Sequence, residues 1–413
     1  MNNTNKVSRF IKILAIPIGL ALVIMGFIKS DVSKSHVQKK ELKYDGTYSL
    51  YVGKEDHYNI RWITSTKNMG AYEVLNDKNK IVASGETDSS RTHKIDLNSN
   101  IKAPFTLKFG AKNQAMHEVK IKAGFTLEET EYQKVDSIYV VGDVHGRYDQ
   151  MINLLKNSNI IDENLLWTAG KAQIVFLGDI FDRGDDVTKV LWFIHDLEDK
   201  AEKVGGKVHL VLGNHEIMTM TKDLRYLSRK EQNIAIGHGL KYDELFHPTA
   251  SYLGSWLRSK VSLLKINQVV FAHGGILDIS PNSLEEFNNQ AYYYMKDPMY
   301  LDMDEDYPDS IKYNPTEWWN MKWFFYDGNG PYWYRGYVYS DTLKPQLSAM
   351  LRRHNSKIHV VAHTPLETIT ERYDGKLLTT DLNDAATQLL LLIRNRNKYT
   401  KYKINSQGVQ SNL

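Results

Sequence analysis

Three short apolar stretches in this chain each run into a cluster of glycine and polar residues, and that repetition leaves few folds open. Gly142-Asp143-Val144-His145-Gly146 follows residues 137–141, Gly178-Asp179-Ile180-Phe181-Asp182-Arg183-Gly184 follows 174–177, and Gly213-Asn214-His215-Glu216 follows 208–212. The segments between them are amphipathic: Met151, Ile152, Leu154 and Leu155 make one helical face, and Val187, Val190, Leu191, Ile194 and Leu197 make another. Apolar strands alternating with such helices are the βαβ pattern of an α/β domain. Two later stretches end the same way, 269–272 in His273-Gly274-Gly275 and 358–362 in His363. In open α/β sheets ligands sit outside the carboxyl ends of the strands, so these five corners are expected to converge on one site.

The corners carry carboxylate, imidazole, amide and guanidinium groups, with glycines that let backbone turn tightly beside a ligand. The chain has no cysteine, which removes disulfides, thiolate metal sites and cysteine nucleophiles together. Two divalent ions about 3.5–4 Å apart need one bridging ligand and several unshared ones, and a phosphoester between them is open to in-line attack by a metal-bound hydroxide. Asp143 and His145, two apart, can hold one ion; Asp179 can bridge; Asn214, His273 and His363 can complete the second. Mixed nitrogen and oxygen ligands suit Mn, Fe or Zn better than Ca or Mg. Arg183 offers a planar fork of donors to phosphate oxygens, and Asn214 lies at the same edge. His215, directly after a metal-binding amide, is placed as general acid for the leaving oxygen, with Asp182 to orient it. Any one of these residues has a bland reading as a salt bridge or a core histidine; five such corners together do not. The expected function is hydrolysis of phosphomonoesters. A nucleotide or dinucleoside polyphosphate hydrolase is the alternative, and a non-catalytic binding or adhesion protein is the rival of another class.

The rest of the chain sets the context. Residues 1–29 place Lys6, Arg9 and Lys12 before an uncharged run, 13–28, the layout of a signal peptide or signal anchor. Gly26, Ile28 and Ser30 make a poor cleavage site, so an anchor is favoured. The body is then expected outside the cytoplasmic membrane, anchored or secreted, periplasmic or at the cell surface. Residues 30–44 are a lysine-rich linker. In 45–125, short alternating runs separated by turn residues predict six to seven strands in a small all-β sandwich of immunoglobulin or fibronectin type. Its histidines, His57, His93 and His117, are expected at surfaces or turns. Residues 135–395 form the α/β domain, and 396–413 are a polar tail expected to fray. The aromatic-rich insertion 291–339 joins two of the corners, so part of it must lie near the pocket. A net charge of +3 over 413 residues gives no reason to expect a nucleic-acid partner; a phosphorylated protein or small phosphomonoester is the expected substrate.

The ordered set G-D-V-H-G, G-D-I-F-D-R-G, G-N-H-E, H-G-G and A-H-T-P resembles the calcineurin-like metallophosphoesterases, and its Asp-Arg-Gly and intact Gly-Asn-His-Glu resemble the phosphoprotein phosphatase branch. Pro331-Tyr332-Trp333-Tyr334-Arg335-Gly336 is similar to the bacterial-type Shewanella-like phosphatases. The resemblance covers about residues 137–381. It implies a core of two mixed β-sheets flanked by helices, the metal assignments given above, and Arg335 as a second phosphate ligand beside Arg183. A β-domain before such a core also resembles purple acid phosphatases, but these need a tyrosine ligand in the second motif, where this chain has Asp182-Arg183.

Overall fold

The computed structural model describes residues 49–54, 57–277, 283–303, 314–396 and 398–413. The N-terminal signal and linker segments, and Asp304, Glu305 and Asp306 of the aromatic insertion, lie outside the described residues. Among the described residues no helix is long and apolar enough to cross a membrane.

The N-terminal region is all-β: β1 (Ser49–Lys54), β2 (Tyr58–Leu75), β3 (Ile81–Asp96), β4 (Phe105–Ala111) and β5 (His117–Ile121). The first part of β2 pairs with β1 and its second part with β4, while β3 follows both. Register shifts between Ile63 and Gly70 mark irregular pairing between the halves of this strand, which bends them toward each other. The ring of Tyr58 meets Phe105 edge-on at 5.0 Å and Trp62 meets Phe109 at 6.0 Å. The layering expected of a sandwich is thus made by five strands in one continuous sheet, because β2 runs on through the turn-like residues 64–67, which interrupt the register without closing a loop. His93, expected at a surface, is buried; it stacks on Trp62 at 5.0 Å and lies 2.6 Å from the Thr87 hydroxyl. This sheet shares a compact unit, Lys43–Leu413, with the rest of the chain. Trp192 Nε1 donates to the Leu50 carbonyl at 2.8 Å, and Lys54 N donates to the Ala250 carbonyl at 2.8 Å.

The chain then supplies β6 (Glu131–Tyr132), β7 (Ser137–Val141), β8 (Gln173–Phe176), β9 (Lys207–Leu210), β10 (Leu263–Ile266), β11 (Val269–Ala272), β12 (Ile358–Val361), β13 (Thr370–Arg372), β14 (Leu377–Thr379), β15 (Gln388–Asn395), β16 (Lys398–Asn405) and β17 (Gln410–Asn412). They make two mixed six-stranded sheets, ordered β13-β14-β12-β11-β10-β6 and β17-β16-β15-β7-β8-β9. Val140, Val175 and Leu177 of one sheet meet Leu264, Phe271 and Val360 of the other in a shared apolar layer. Strands covered on both faces must be apolar throughout, which is why these read as short unbroken runs. Helices α1 (Tyr148–Asn157) and α2 (Val187–Glu202) contribute Met151, Leu155, Val190 and Ile194 to the second, larger apolar cluster.

The tail expected to fray is ordered. β16 pairs with β15 over eight residues, from Gln388↔Asn405 to Asn395↔Lys398, and β17 pairs with β16. Ile404 is buried and Tyr402 packs against the core, while Lys401 Nζ pairs with Glu371 Oε2 at 2.6 Å and Lys403 Nζ donates to Thr368 Oγ1 at 2.9 Å. A polar composition hid a half-buried strand that is paired on both sides.

Candidate metal centre

Each corner delivers its side chain from the end of a strand, and tertiary hydrogen bonds fix the direction. Val144 N and His145 N both donate to the Asp179 carbonyl, at 3.1 and 2.9 Å, and Gly146 N donates to the Ile180 carbonyl at 2.9 Å, so the first corner is locked onto the second. The third motif opens helix α3 (Asn214–Met220). Gly178 joins the second and third corners: its φ is +86°, and a Cβ there would lie 2.6 Å from Gly213 N and 2.9 Å from His273 Nδ1.

Asp179 is the buried hub. Its Oδ1 lies 3.2 Å from His273 Nε2 and accepts the His215 backbone N–H at 3.0 Å; its Oδ2 lies 3.9 Å from His145 Nε2 and 3.8 Å from His215 Nε2. Two clusters share it. His145, Asp179 and His215 have ligand atoms within 4.8 Å of one another, and so do Asp179, His273 and His363. Asp143 joins the first, with Oδ2 3.5 Å from His145 Nε2, while its Oδ1 accepts His363 N–H at 3.2 Å. Asn214 joins the second through Oδ1, 2.9 Å from His273 Nε2.

The donor set fits divalent ions. His145 Nδ1 donates to the Phe181 carbonyl at 2.8 Å and His273 Nδ1 to the Leu177 carbonyl at 2.7 Å, which leaves each Nε2 free to ligate. His145 Nε2 and His363 Nε2 are buried with no hydrogen-bond partner, an arrangement that costs free energy unless something binds there. Burial works against a charged His273 ring, yet the Asp179 carboxylate outweighs it and pushes the imidazole up to about 10. The site therefore draws positive charge to that Nε2. His363 is driven the other way, down to about 2, by burial and by the His273 charge, with Arg335 adding to it.

His215 stands apart from a simple ligand. Its Nδ1 is 2.6 Å from Asp182 Oδ2, and Arg183 Nη2 is 3.3 Å from its Nε2. Burial lowers its pKa, but Asp179 and the Asp182 hydrogen bond raise it overall. Arg183 is exposed, and Arg335, at the start of the short helix Gly336–Tyr339, is half-buried on the His363 side, where its charge acts on that ring. The aromatic insertion reaches the site as expected from its place between two corners. Gly274 N donates to the Pro331 carbonyl at 2.6 Å, and the Trp333 ring meets His363 edge-on at 5.9 Å. Tyr226 lies 5.4 Å from the His215 ring. All ten residues expected from sequence therefore gather in or at the rim of one centre.

Two residues had no role assigned from sequence. Glu216 is fully buried; its Oε2 accepts Asp179 N–H at 2.9 Å and Gly213 N–H at 2.7 Å, and its Oε1 accepts Ile180 N–H at 2.7 Å. Its place at the third helical position of α3, where acids cap helix starts, was the available signal. Asp381, just beyond β14, is buried, and burial together with the Asp143 and Asp179 charges holds its carboxyl far above the usual range. Nothing local in the sequence marks it.

Buried carboxylate and imidazole clusters at the strand ends of a two-sheet α/β core define the class, a phosphoesterase fold built around a divalent-metal site. Residues 137–367 match the calcineurin-like phosphoesterases, and the chain belongs to that family. It is similar to Shewanella-like protein phosphatase 2 of Arabidopsis thaliana, 36% identical over 102 residues that make up 25% of this chain and 26% of that protein. It is also similar to a symmetrical bis(5'-nucleosyl)-tetraphosphatase of Buchnera aphidicola, 31% identical over 145 residues, 34% of this chain and 44% of that protein. The chain thus spans about a quarter to under a half of the length of these curated relatives. Among solved structures, the cold-active protein-tyrosine phosphatase of a psychrophilic Shewanella species superposes over 89% of this chain and 99% of its own, with a TM-score of 0.68 and 26% identity.

Proposed function

We propose that this chain is a metal-dependent phosphomonoesterase acting on phosphorylated protein, with phosphotyrosine as the leading substrate. The observation that carries the reading is the pair of ligand clusters sharing Asp179, with the His215–Asp182 pair beside them. In this reading Asp143, His145 and Asp179 hold one ion, and Asp179, Asn214, His273 and His363 hold the other. Such ions, when bound, polarise the phosphoester and supply the nucleophile; Mn, Fe or Zn suit the donors.

The chain's own residues do the rest. Arg183, beside His215, and Arg335, whose charge acts on His363, pair with phosphate oxygens. Arg183 sits 3.3 Å from His215 Nε2, and a phosphate that engages the guanidinium takes this donor away from the ring. His215 then directs a proton from Nε2 to the leaving oxygen while Asp182 holds Nδ1. Tyr226 and Trp333 give the cleft aromatic sides, which favours an aryl leaving group, and the Shewanella phosphatase with nearly full-length likeness is named for phosphotyrosine. The likeness to the tetraphosphatase supports a second reading, hydrolysis of dinucleoside polyphosphates. The protein is further proposed to be exported and held at the membrane by residues 1–29, on the strength of Lys6, Arg9 and Lys12 before an uncharged run.

The deciding experiment is a panel of a phosphotyrosine peptide, a phosphoserine peptide and diadenosine tetraphosphate, hydrolysed by metal-loaded protein. The highest kcat/KM is expected for phosphotyrosine. Preference for the dinucleotide would install the second reading, and no turnover of any of them would leave a binding protein.

A further inference from the structure

A pocket of about 190 Å³ opens where the N-terminal sheet meets the helices Tyr252–Leu257 and Leu284–Lys296. Four cationic side chains from four segments line it. Lys54 ends β1, Lys122 follows β5, Arg258 caps the C-terminus of the first helix, and Lys296 closes the second. Among the described residues that line it there is no carboxylate, and none belongs to the metal centre. Arg258 is 3% exposed, and three carbonyl oxygens fix it: Nε donates to Met295 at 3.1 Å, and Nη1 donates to Phe246 at 2.7 Å and to Gly254 at 3.0 Å. Its Nη2 is buried with no hydrogen-bond partner. Burial pushes the guanidinium down to about 10, so it still carries its charge at neutral pH. A buried cation with an unused donor costs free energy unless an acceptor meets it. The lysines add to the charge. Lys54 Nζ donates to the Ala123 carbonyl at 3.0 Å, and Lys296 Nζ lies 3.8 Å over the Tyr292 ring. Lys122 Nζ is 3.8 Å from Glu198 Oε2, a carboxylate already engaged by Lys260 Nζ at 2.5 Å and Trp256 Nε1 at 3.2 Å.

We propose that this pocket binds a free tetrahedral oxyanion, inorganic phosphate or sulfate, with Arg258 Nη2 as its buried donor and Lys54, Lys122 and Lys296 as its surrounding ammonium groups. An arginine that only clamped three carbonyls would need Nε and Nη1 alone; such a role leaves Nη2 and the three lysines without a purpose. Each ammonium has three N–H groups, so every lysine keeps donors to spare after the contacts above. Donors that arrive from four segments suit an anion with oxygens on every side and more than one negative charge. A planar carboxylate offers two oxygens and one charge. The size of the pocket points the same way, because sites that enclose a drug-sized ligand run to roughly 300–1,000 Å³. A single small ion fits here; a nucleotide or peptide does not. Once bound, the anion joins Lys54 and Lys122 of the N-terminal sheet to Arg258 and Lys296 of the core, and by mass action it stabilises the folded chain. This site is independent of the chemistry assigned to the metal centre.

Thermal unfolding of the full, metal-loaded chain tests this, with sodium phosphate, sulfate, acetate and chloride compared at one ionic strength. Phosphate and sulfate are expected to raise the melting temperature beyond the level reached in acetate or chloride. Sulfate is the cleaner probe, being neither substrate nor product of phosphoester hydrolysis. The double variant Lys54→Ala/Lys296→Ala changes two exposed side chains and should need about tenfold more sulfate for the same rise, the worth of one hydrogen bond to a charged group. Arg258→Met should abolish the rise. Because that variant also gives up three carbonyl bonds, the lysine pair carries the test should it fail to fold. An unchanged sulfate requirement in the double variant would put the anion elsewhere, the metal centre included, and overturn the site. Acetate that matches phosphate and sulfate in wild type would overturn the ligand class.

Discussion

Truncating Glu216 to alanine removes, in one step, the acceptor for three buried backbone N–H groups that belong to two different corners. Asp179, Ile180 and Gly213 each lose a bond of 2.7–2.9 Å, and all three residues are buried along with Glu216. Leaving a buried donor unpaired costs roughly 1–3 kcal/mol, so the three together cost about 3–9 kcal/mol, a large part of the ~5–15 kcal/mol that holds a typical domain. Glutamine separates the geometry from the charge. Its oxygen can take the place of Oε2 and keep Asp179 and Gly213, while its amide nitrogen faces Ile180 N–H donor to donor, a loss of about 1–3 kcal/mol. The expected order of stability is therefore wild type, then Glu216→Gln, then Glu216→Ala. The alanine variant should melt on the order of 10 °C lower, taking about 2–4 °C per kcal/mol. Thermal unfolding read beside metal content by mass spectrometry is the assay, and the bridging position should suffer with stability because Asp179 N is one of the orphaned donors. An alanine variant with the wild-type melting temperature and two ions bound would refute the clamp.

His215→Ala should lower kcat by ~10²–10⁴-fold, the span of general-acid help, while metal content stays at the wild-type value; unchanged turnover would remove His215 from the mechanism. Gly184→Ala should cost first-ion occupancy, because a Cβ there would lie 2.0 Å from the His145 carbonyl oxygen and 2.9 Å from the Gly146 carbonyl carbon; full occupancy with wild-type kcat would show that the His145 corner can yield. Glu231 gives a pH test of stability. Burial pushes its carboxyl up to about 7 from 4.5, so the folded state binds a proton that the unfolded state has released. The stability from this group is complete below about pH 4.5 and lost as pH rises through 7, a decline of roughly 3 kcal/mol. Chemical denaturation across that window should show the decline in wild type and a flatter curve in Glu231→Gln; parallel curves would contradict it.

What the sequence disclosed was set by how local the cause was. The strand ending at Ala272 and the one beginning at Ile358 were legible because both faces of their sheets are covered, which forces unbroken apolar runs. Asp143, Asp179 and Asn214 could be placed from sequence because each follows a strand and a glycine; His363 follows a strand without the glycine, and Arg335, which opens a short helix, came only from the family resemblance. The long hairpin of β2 and β3 was not, because Thr64, Ser65, Lys67 and Asn68 have the composition of a turn, and only the pairing of Ile63 with Thr92 and of Asn68 with Ser90 shows that the strand runs on through them. Ordering of β16 escaped for a related reason: Lys398–Asn405 needs the apolar flank of β15 before its tyrosines have anything to cover. Asp381 escaped entirely, since the carboxylates it faces, Asp143 and Asp179, lie on other parts of the chain.

The corners also contain a conflict that sequence patterns do not display. His145, Asp179, Asp182, Arg183 and His363 all have φ between 46° and 67°, the left-handed region that side-chain-bearing residues avoid at a cost of roughly 1–2 kcal/mol each. Glycine would relieve that strain and destroy the site, because each position must carry a functional side chain. The strain is borne by interlocking: the first corner hangs from the Asp179 and Ile180 carbonyls, the second and third share the Glu216 carboxylate, and Arg183 N is tied to the Tyr226 carbonyl at 3.1 Å. No corner is stable in its own right, so the strain can persist only where all of them have formed. Strain alone marks this centre without reference to any relative: among the described residues, three side chains of ligand type, the aspartate that holds His215 and a phosphate-binding arginine at its rim are all held against their own backbone preference, and a fold keeps such positions where their chemistry is used.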